Sequence, residues 1–594
     1  MRRSWRCRRL PFAHAQTQRR ATAHPCSDLY DPQSMTAAQH FDPTRWEQLE
    51  PLYARLLQRA IHSAEDLERL LLDRSDLDAS ADEAQANLYI AMTCHTDDPA
   101  RQKAFLDFVQ HVEPQLKKVG FELDRRIAES PFAAQLDAAR YGTYLRGVRQ
   151  EVRLFRAENV PLQTEATTHD QEYSRLSGEM TVEYDGREQT LPQMAKYLED
   201  TDRGVREASW RCVVDRRLRD REAIDTIYDK LVALRHQMAL NAGFPNFRDF
   251  QHQRMHRFDY TSEDCARFHD AVERTCMPVL KRLHRERAQA LGLSALRPWD
   301  VKVDLHGRPP LRPFTDANDL VQRSSRAFHR LDGELGALFD TMRTGECLDL
   351  DSRKGKAPGG YQYQRQHSRT PFIFMNASGL QRDVVTMVHE AGHAFHSMLS
   401  RHDPLLAYRG SPIEFAEVAS MSMELLTFPQ LSEFYSEADA ARAKRDLLEG
   451  LAGMLPWIAT IDAFQHWVYT HPTHSREERT REWVALQKRF GGEIDWTGCE
   501  PALEAMWQRQ LHLFGSPFYY VEYGIAQLGA LQVWSQSRRS PSEALANYKR
   551  ALSLGGSRPL PALFEAAGMP FDFSASTVQR LMDDVQSELE AIPA

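Results

Sequence analysis

The sequence predicts a mainly α-helical fold that contains a small β-sheet. Apolar residues recur at helical spacing from Asp42 onward and again from Arg382 to the C-terminus. Between Pro298 and Gly379, short runs rich in β-branched and aromatic residues interrupt that spacing. The 594 residues are 42% hydrophobic and 27% charged, which is the composition of a globular protein and excludes a wholly disordered chain.

The helical pattern forms a nearly continuous series in the first half of the chain. Thr261 followed by Ser-Glu-Asp is an N-cap signal for a further long helix. The helices predicted before it span residues 43–61, 63–72, 81–92, 100–116, 136–158, 191–198, 203–219 and 222–242.

Strand signals fall in two places. Residues 179–186 end in an Asp-Gly turn and predict the first strand, so we place a boundary there. The other predicted strands span residues 299–304, 348–351, 361–363 and 371–375. These patterns predict an N-terminal extension at 1–34, a helical region at 35–185 and one large unit at 186–594.

Charge and cysteine content exclude several classes of protein. The formal net charge of −8 argues against a main function in binding nucleic acid, and no run of about 18 apolar residues predicts a membrane span. The eight cysteines form no CxxC pair, which favours reduced thiols and a cytoplasmic location.

The first 34 residues differ from the rest in charge. They contain seven arginines, no lysine and two aspartates. An organelle transit peptide has this bias, but the segment that opens at Met35 resembles an ordinary start. We therefore predict that residues 1–34 are an upstream extension or a disordered tail.

One segment carries the residues for chemistry, at positions 388–396, where the sequence contains H-E-x-x-H. On a helix, His389 and His393 project from one face and can share one metal ion. Glu390 lies about 100° around the helix, where it can act as general base on a water molecule. His396 also lies on the ligand side, either supporting a ligand or as a satisfied core histidine.

Catalytic zinc usually has three protein ligands, so a third must come from elsewhere. Leu399 occupies the position where a metzincin would have its third histidine, which excludes that class. The next predicted helix offers Glu417 as the ligand. Glu424, on the same face, then accepts a hydrogen bond from a ligand imidazole, while Glu414 serves the helix dipole.

The pattern H-E-x-G-H-x-x-H, followed by F-x-E-x-x-S about two dozen residues later, resembles the thimet oligopeptidase and oligoendopeptidase F family of zinc metallopeptidases. The resemblance covers residues 190–570 and is closest to the oligoendopeptidase F branch. It implies a large helical fold of the gluzincin type, in which a small sheet edges a deep cleft. It also implies one Zn²⁺ per chain and short peptides as substrates.

The resemblance extends to segments before and after the predicted helix that carries H-E-x-x-H. The family has a histidine and tyrosines near the C-terminus that stabilise an oxyanion. The resemblance implies this role for His512, Tyr520 and Tyr523. Tyr519 is the donor if the helix register is shifted by one. Residues 357–361 and 371–376 resemble the family's glycine-rich loop and cleft-edge strand. We expect the strand to bind substrate by β-augmentation, and the predicted substrate-binding residues are Gly359, Gly360, Tyr361, Phe372 and Phe374.

Two other functions stay open at this point. A peptide-binding scaffold could keep the helical shell without catalysis, although such a protein would not need Glu390. A dipeptidyl carboxypeptidase would need a cation for the substrate carboxylate, and the sequence does not identify one.

Overall fold

The computed structural model describes residues 41–592, so the predicted extension at 1–34 lies outside the described residues. The N-terminal helices pack partly against one another. They are α1 (Trp46–Gln58), α2 (Ala64–Cys94), α3 (Pro99–His111), α4 (Glu113–Ala128), α5 (Ala138–Leu154) and α6 (Asn159–Gly178). The two helices predicted at 63–72 and 81–92 are one continuous helix, and α6 is a helix that the periodicity did not predict.

The middle of the chain contains helices that contribute to the larger of two hydrophobic cores. They are α7 (Arg203–Arg219), α8 (Arg221–Asn241), α9 (Phe247–Arg254), α10 (Ser262–Ala290), α11 (Ala317–Leu331) and α12 (Gly333–Thr344). Thr261 caps α10 as predicted, since its side chain accepts the backbone N–H of Asp264.

The C-terminal part carries the H-E-x-x-H motif and ten helices of the described residues. They are α13 (Gln381–Ser400), α14 (Ile413–Leu426), α15 (Glu437–Thr470), α16 (Arg476–Phe490), α17 (Glu500–Glu504), α18 (His512–Gly515), α19 (Tyr520–Arg539), α20 (Pro541–Leu552), α21 (Leu560–Ala566) and α22 (Ala575–Ala591). Short 3₁₀ segments lie at Ala133–Gln135, Pro192–Glu199, Leu406–Tyr408, Phe428–Glu433 and Met506–Arg509.

The strands form one hairpin and one three-stranded sheet. They are β1 (Thr181–Tyr184), β2 (Arg187–Thr190), β3 (Leu348–Asp351), β4 (Tyr361–Arg365) and β5 (Thr370–Ala377). The predicted Asp-Gly turn joins β1 to β2 in antiparallel register. In the second sheet the order is β3-β5-β4, with β3 parallel and β4 antiparallel to the central β5.

The prediction of a strand at residues 299–304 is wrong. The segment forms a turn around Asp300, whose buried carboxylate accepts hydrogen bonds from Arg203 at 3.0 Å and from Arg206 at 3.1 Å. The alternation of polar and apolar residues in this segment therefore comes from the ion pairs of Asp300 and not from the pairing of a strand.

The buried apolar residues form two clusters. The smaller cluster runs from Leu49 to Val148 and includes Leu405 and Tyr408 from the segment after α13. The larger cluster extends from Cys94 to Ile592 and surrounds α13, α14, α15 and α19. The three-part division of the chain stays a prediction.

The helix α15 is long and apolar enough to cross a membrane by length and composition alone. Of its apolar window, 61% is buried inside the protein, as in the core helix of a globular protein. It therefore gives little support for a membrane span.

Candidate active site

The predicted metal-binding residues lie where α13 crosses α14 at close range. Gly392, between the two histidines, makes this crossing possible, because a Cβ there would lie 2.6 Å from the Cα of Ser420 and 2.7 Å from the carbonyl oxygen of Ala419. The helix α13 begins where the Asp383 carboxylate accepts the backbone N–H groups of Ser378 and Leu380, at 2.7 and 2.9 Å.

The crossing brings His389, His393 and Glu417 together, with one ligand atom from each within 4.8 Å of the others. The Nε2 atoms of both histidines lie 3.6 Å from the same Glu417 oxygen, Oε2. Ligands held tetrahedrally by zinc lie about 3.3–3.6 Å apart, so two imidazoles and a carboxylate at these distances fit that ion. Their side chains keep 24, 20 and 11% of their surface exposed, which leaves one side of the group open.

Surrounding groups fix the orientation of all three side chains. The Nδ1 atom of His389 lies 2.7 Å from Glu424 Oε1, the contact expected for a carboxylate that supports a ligand imidazole. His393 is held by a hydrogen bond to the backbone of Ala416. Ser420 Oγ donates to Glu417 Oε2 at 3.0 Å. The Nε2 atoms are thereby left facing Glu417.

Charge and burial act in opposite directions on the two histidines. Burial lowers the pKa of His389, but the hydrogen bond to Glu424 and the neighbouring carboxylates together raise it to about 9. Burial and the charge of His389 lower the pKa of His393. A metal ion must therefore displace a proton from His389, whereas His393 is already neutral at physiological pH.

Glu390 lies on the side of α13 that faces the small sheet. Its buried carboxylate accepts the backbone N–H of Gln362 in β4, and burial raises its pKa to about 7. A carboxyl group with a pKa near neutrality can both accept and return a proton.

His396 lies apart from this group of three. It is buried, its Nε2 has no hydrogen-bond partner among the described residues, and burial lowers its pKa to about 4. His396 is thus a neutral histidine of the core.

The expected β-augmentation on the strand at 371–375 is wrong. This strand is β5, which is paired on both sides, so it has no free edge for a substrate. Phe372 and Phe374 are buried, and their side chains pack in the core. Among the described strands, β4 has one unpaired edge, and the N–H of Gln362 on that edge points to Glu390.

The glycine-rich loop precedes β4 and is held in shape by specific contacts. Asn376 donates its side-chain amide to the carbonyl oxygens of Ala357 at 2.7 Å and Gly359 at 2.9 Å. Gly359 has a φ of 101°, a backbone angle that residues other than glycine rarely adopt. Gly360 packs near Thr386 in the first part of α13.

Tyr361 faces α2 and the sheet. Its hydroxyl lies 2.6 Å from Thr93 Oγ1, and its ring stacks on Phe374. The side chain therefore anchors the loop to the N-terminal helices, a contact that the sequence did not predict.

The aromatic segment near the C-terminus closes the site from the side of α14. The Tyr519 hydroxyl donates to Glu417 Oε1 at 3.4 Å and is hydrogen-bonded to Tyr523. Tyr520 instead donates to Gln510 at 3.3 Å and accepts from Trp457 at 3.3 Å. Tyr519, which sequence reasoning gave only as the alternative register, is thus the tyrosine in contact with a candidate ligand.

His512 lies among these rings. Its ring centroid is 5.0 Å from that of Tyr520 and 6.0 Å from that of Tyr523, and burial lowers its pKa. Burial also raises the pKa of Tyr523 to about 12, and that of Tyr519 above its usual value. Both phenols therefore keep their protons at neutral pH and can donate hydrogen bonds.

The register of this segment depends on Phe518, a non-glycine residue with a φ of 67°. Its N–H donates to Gln465 Oε1 at 2.6 Å, and its carbonyl oxygen accepts from the buried Arg257. Arg257 is paired with Glu522 at 3.0 Å. Sequence reasoning missed Arg257 and Gln465, and no local signal marks a phenylalanine for a left-handed conformation.

Family models match most of the described chain. The model of peptidase family M3 matches residues 196–582, and the model of the Peptidase M3 N-terminal domain matches residues 39–155. The fold and the H-E-x-x-H helix therefore have a defined class: the chain belongs to peptidase family M3.

Individual relatives place the chain in the oligoendopeptidase F branch of that family. An oligoendopeptidase F homolog of Borreliella burgdorferi is 27% identical over 299 residues, which are 48% of this chain and 49% of that protein. The oligopeptidase PepF of Bacillus subtilis is 23% identical over 325 residues, 53% of this chain and 48% of that protein. The aligned chain thus spans about half the length of these curated relatives.

Solved structures are similar over nearly the whole chain. PZ peptidase A, solved with an inhibitor, gives a TM-score of 0.85 at 29% identity and covers 94% of this chain and 99% of that chain. A Bacillus anthracis protein described as an oligoendopeptidase F gives a TM-score of 0.81 at 26% identity, with coverage of 94% and 98%. The mainly α-helical fold class is thereby confirmed.

Proposed function

We propose that the chain is a zinc-dependent endopeptidase that hydrolyses short peptides. The observation that carries this proposal is the approach of His389 Nε2 and His393 Nε2 to one oxygen of Glu417, next to the buried Glu390. Membership of peptidase family M3 supports it. Two neutral imidazoles and a carboxylate are the ligand set of catalytic zinc in several peptidases.

Zn²⁺, when bound, supplies Lewis acidity that polarises the scissile carbonyl and lowers the pKa of water to about 7. Glu390 takes the proton of the attacking water on a carboxylate oxygen and delivers it to the nitrogen of the leaving amine. Burial raises its pKa to about 7, which suits both directions of transfer.

The tyrosine hydroxyls supply hydrogen bonds to the developing oxyanion. Tyr519 is favoured because its hydroxyl lies 3.4 Å from Glu417 Oε1, beside the candidate ligands; its single proton turns from that carboxylate to the oxyanion when the substrate reacts. Tyr523 lies beside Tyr519 and supports it, since the two ring centroids are 5.1 Å apart. His512 packs against the tyrosine rings and holds them in place.

The substrate backbone pairs with the unpaired edge of β4. Gln362 marks the correct edge, because its N–H faces Glu390 and away from β5. Gly359 and Gly360 precede this edge and allow a close approach of the substrate. We also propose a cytoplasmic location, which the six free cysteines among the described residues support.

The test is cleavage of internally quenched peptides, with metal content measured on the same sample. We expect Glu390→Gln to lower kcat about 10²–10⁴-fold with zinc content unchanged, whereas Glu437→Gln, on the exposed first turn of α15, keeps wild-type activity. Unchanged cleavage in Glu390→Gln would contradict the mechanism. Binding of peptides without cleavage indicates a scaffold, and release of C-terminal dipeptides alone, seen by mass spectrometry, indicates a dipeptidyl carboxypeptidase.

A further inference from the structure

A second group of candidate metal ligands lies between α10 and α15, outside the active site described above. Cys265, Asp462 and His466 each offer one ligand atom, and these atoms all lie within 4.8 Å of one another. We propose that this group is a second, structural metal site for zinc or a similar thiolate-binding divalent ion.

The helical spacing of the group suits one ion held between two helices. Cys265 and His269 are four residues apart on α10, and Asp462 and His466 are four residues apart on α15. Each pair therefore lies on one face of its helix, and these two helices pack against each other. This arrangement needs no sequence motif, because the two halves are far apart in the chain.

One distance within the group is compatible with coordination geometry. His466 Nε2 lies 3.3 Å from Asp462 Oδ2, within the separation of about 3.3–3.6 Å expected for neighbouring ligands on a tetrahedral zinc ion. His269 Nε2 lies 2.8 Å from the same Asp462 oxygen, so it orients the carboxylate as an outer hydrogen-bond partner.

The carboxylate of Asp462 carries an unused acceptor. Asp462 is completely buried, yet its Oδ1 atom has no hydrogen-bond partner among the described residues. A buried acceptor without a partner is unfavourable, and a bound cation would satisfy it.

The charges of the group also balance when a divalent ion is present. A divalent ion that binds here displaces the proton of the Cys265 thiol to solvent and is held by the thiolate. Thiolate and carboxylate then neutralise the two positive charges. The nearby Arg257 is already paired with Glu522, and the ion can enter beside His466, whose side chain is 14% exposed.

The site can be tested in the full-length protein because, of the two groups of candidate ligands, this is the one that contains a sulfur atom. We expect metal-free protein titrated with Co²⁺ to show a thiolate-to-cobalt charge-transfer absorption, which the nitrogen and oxygen ligands around Glu417 cannot produce. Cys265→Ala abolishes this absorption, whereas Cys276→Ala, at another buried cysteine of α10, leaves it unchanged.

Metal stoichiometry provides the second arm of the test. In a Glu417→Gln background, we expect purified protein to retain about one equivalent of zinc, which Cys265→Ala removes. Absence of the cobalt–thiolate absorption in the wild-type protein overturns the proposal even if the variants do not fold. Retention of the same zinc content and absorption in folded Cys265→Ala, checked by circular dichroism, overturns it as well.

Discussion

Two groups of ligands in this molecule share a plan but differ in their surroundings. Each combines two side chains four residues apart on one helix with a third side chain on a neighbouring helix: His389 and His393 with Glu417 in one case, and Asp462 and His466 with Cys265 in the other. The group around Glu417 keeps one side exposed and has the extra carboxylate Glu390 beside it. In the Cys265 group the proposed carboxylate ligand, Asp462, is completely buried.

We expect this difference to separate a catalytic metal site from a structural one. Catalytic zinc keeps an open position for water, and structural zinc is enclosed by protein. Ligand spacing alone does not distinguish them, because both groups satisfy it. The open side and the general base decide which group can carry a reaction.

The strongest test of the comparison separates the two groups by single substitutions. Glu417→Gln is expected to lose the active-site metal and to reduce peptide cleavage to background, because an uncharged amide is a poor zinc ligand. It should keep the cobalt–thiolate absorption. Asp462→Asn should lose the cobalt–thiolate absorption and keep both the active-site metal and peptide cleavage. Metal analysis, absorption spectra and peptide kinetics on both variants check this.

If Glu417→Gln also abolishes the thiolate absorption in folded protein, the two groups are not independent and the comparison fails. If Asp462→Asn retains both metal equivalents, the buried group is only a hydrogen-bonded network.

The next largest effect is expected at the tyrosines that only the open group has. Tyr519→Phe should lower kcat about 10²–10³-fold, the loss typical of one oxyanion donor, with metal content unchanged. Tyr520→Phe is the matched control, since its hydroxyl is hydrogen-bonded to Trp457 and Gln510. Steady-state kinetics of the two variants decide between them, and a larger loss in Tyr520→Phe would restore the register predicted from sequence.

A smaller effect is expected at the carboxylate that supports His389. Glu424→Gln keeps an acceptor but removes the charge beside Nδ1, so zinc affinity should fall about 10–100-fold. Competition with a chelator measures it. Glu414→Gln is not a suitable control, because Glu414 accepts from Tyr260 in a buried network; the exposed Glu437→Gln should leave the affinity unchanged. Equal affinities in Glu424→Gln and wild type would show that the hydrogen bond does not support the ligand.

The sequence predicted those parts of the site that helical periodicity determines. The shared face of His389 and His393, and that of Glu417 and Glu424, follow from spacing within one helix, and the structure brings these faces together. Periodicity also predicted helices such as α7 with the observed bounds. It could not predict which strand lies in the centre of the sheet, because strand order depends on pairing between distant segments.

Features that depend on long-range contacts escaped prediction for the same reason. The left-handed Phe518, which sets the position of Tyr519, is held by Arg257 from the loop between α9 and α10 and by Gln465 from α15. The group of Cys265 and Asp462 has no local pattern that identifies it. Both depend on how α10 and α15 pack.

The smallest expected effect concerns the helix crossing that assembles the open group. At Gly392, a Cβ would lie within 2.7 Å of the backbone of α14, so Gly392→Ala must push the two helices apart. Such overpacking typically costs about 1–3 kcal/mol. Because Glu417 belongs to α14 and the histidines to α13, the same displacement should weaken zinc binding, whereas the cobalt–thiolate absorption between α10 and α15 should persist.

Thermal unfolding and chelator competition measure the two consequences together. Gly450→Ala in α15 is the matched control, since a Cβ there meets nothing within 4 Å, and replacing a helical glycine by alanine should raise stability by up to about 1 kcal/mol. A Gly392→Ala variant with wild-type zinc affinity would show that the crossing distance does not set the ligand geometry. In that case the ligand geometry would depend on side-chain contacts, such as those of Ser420 with Glu417 and of Glu424 with His389.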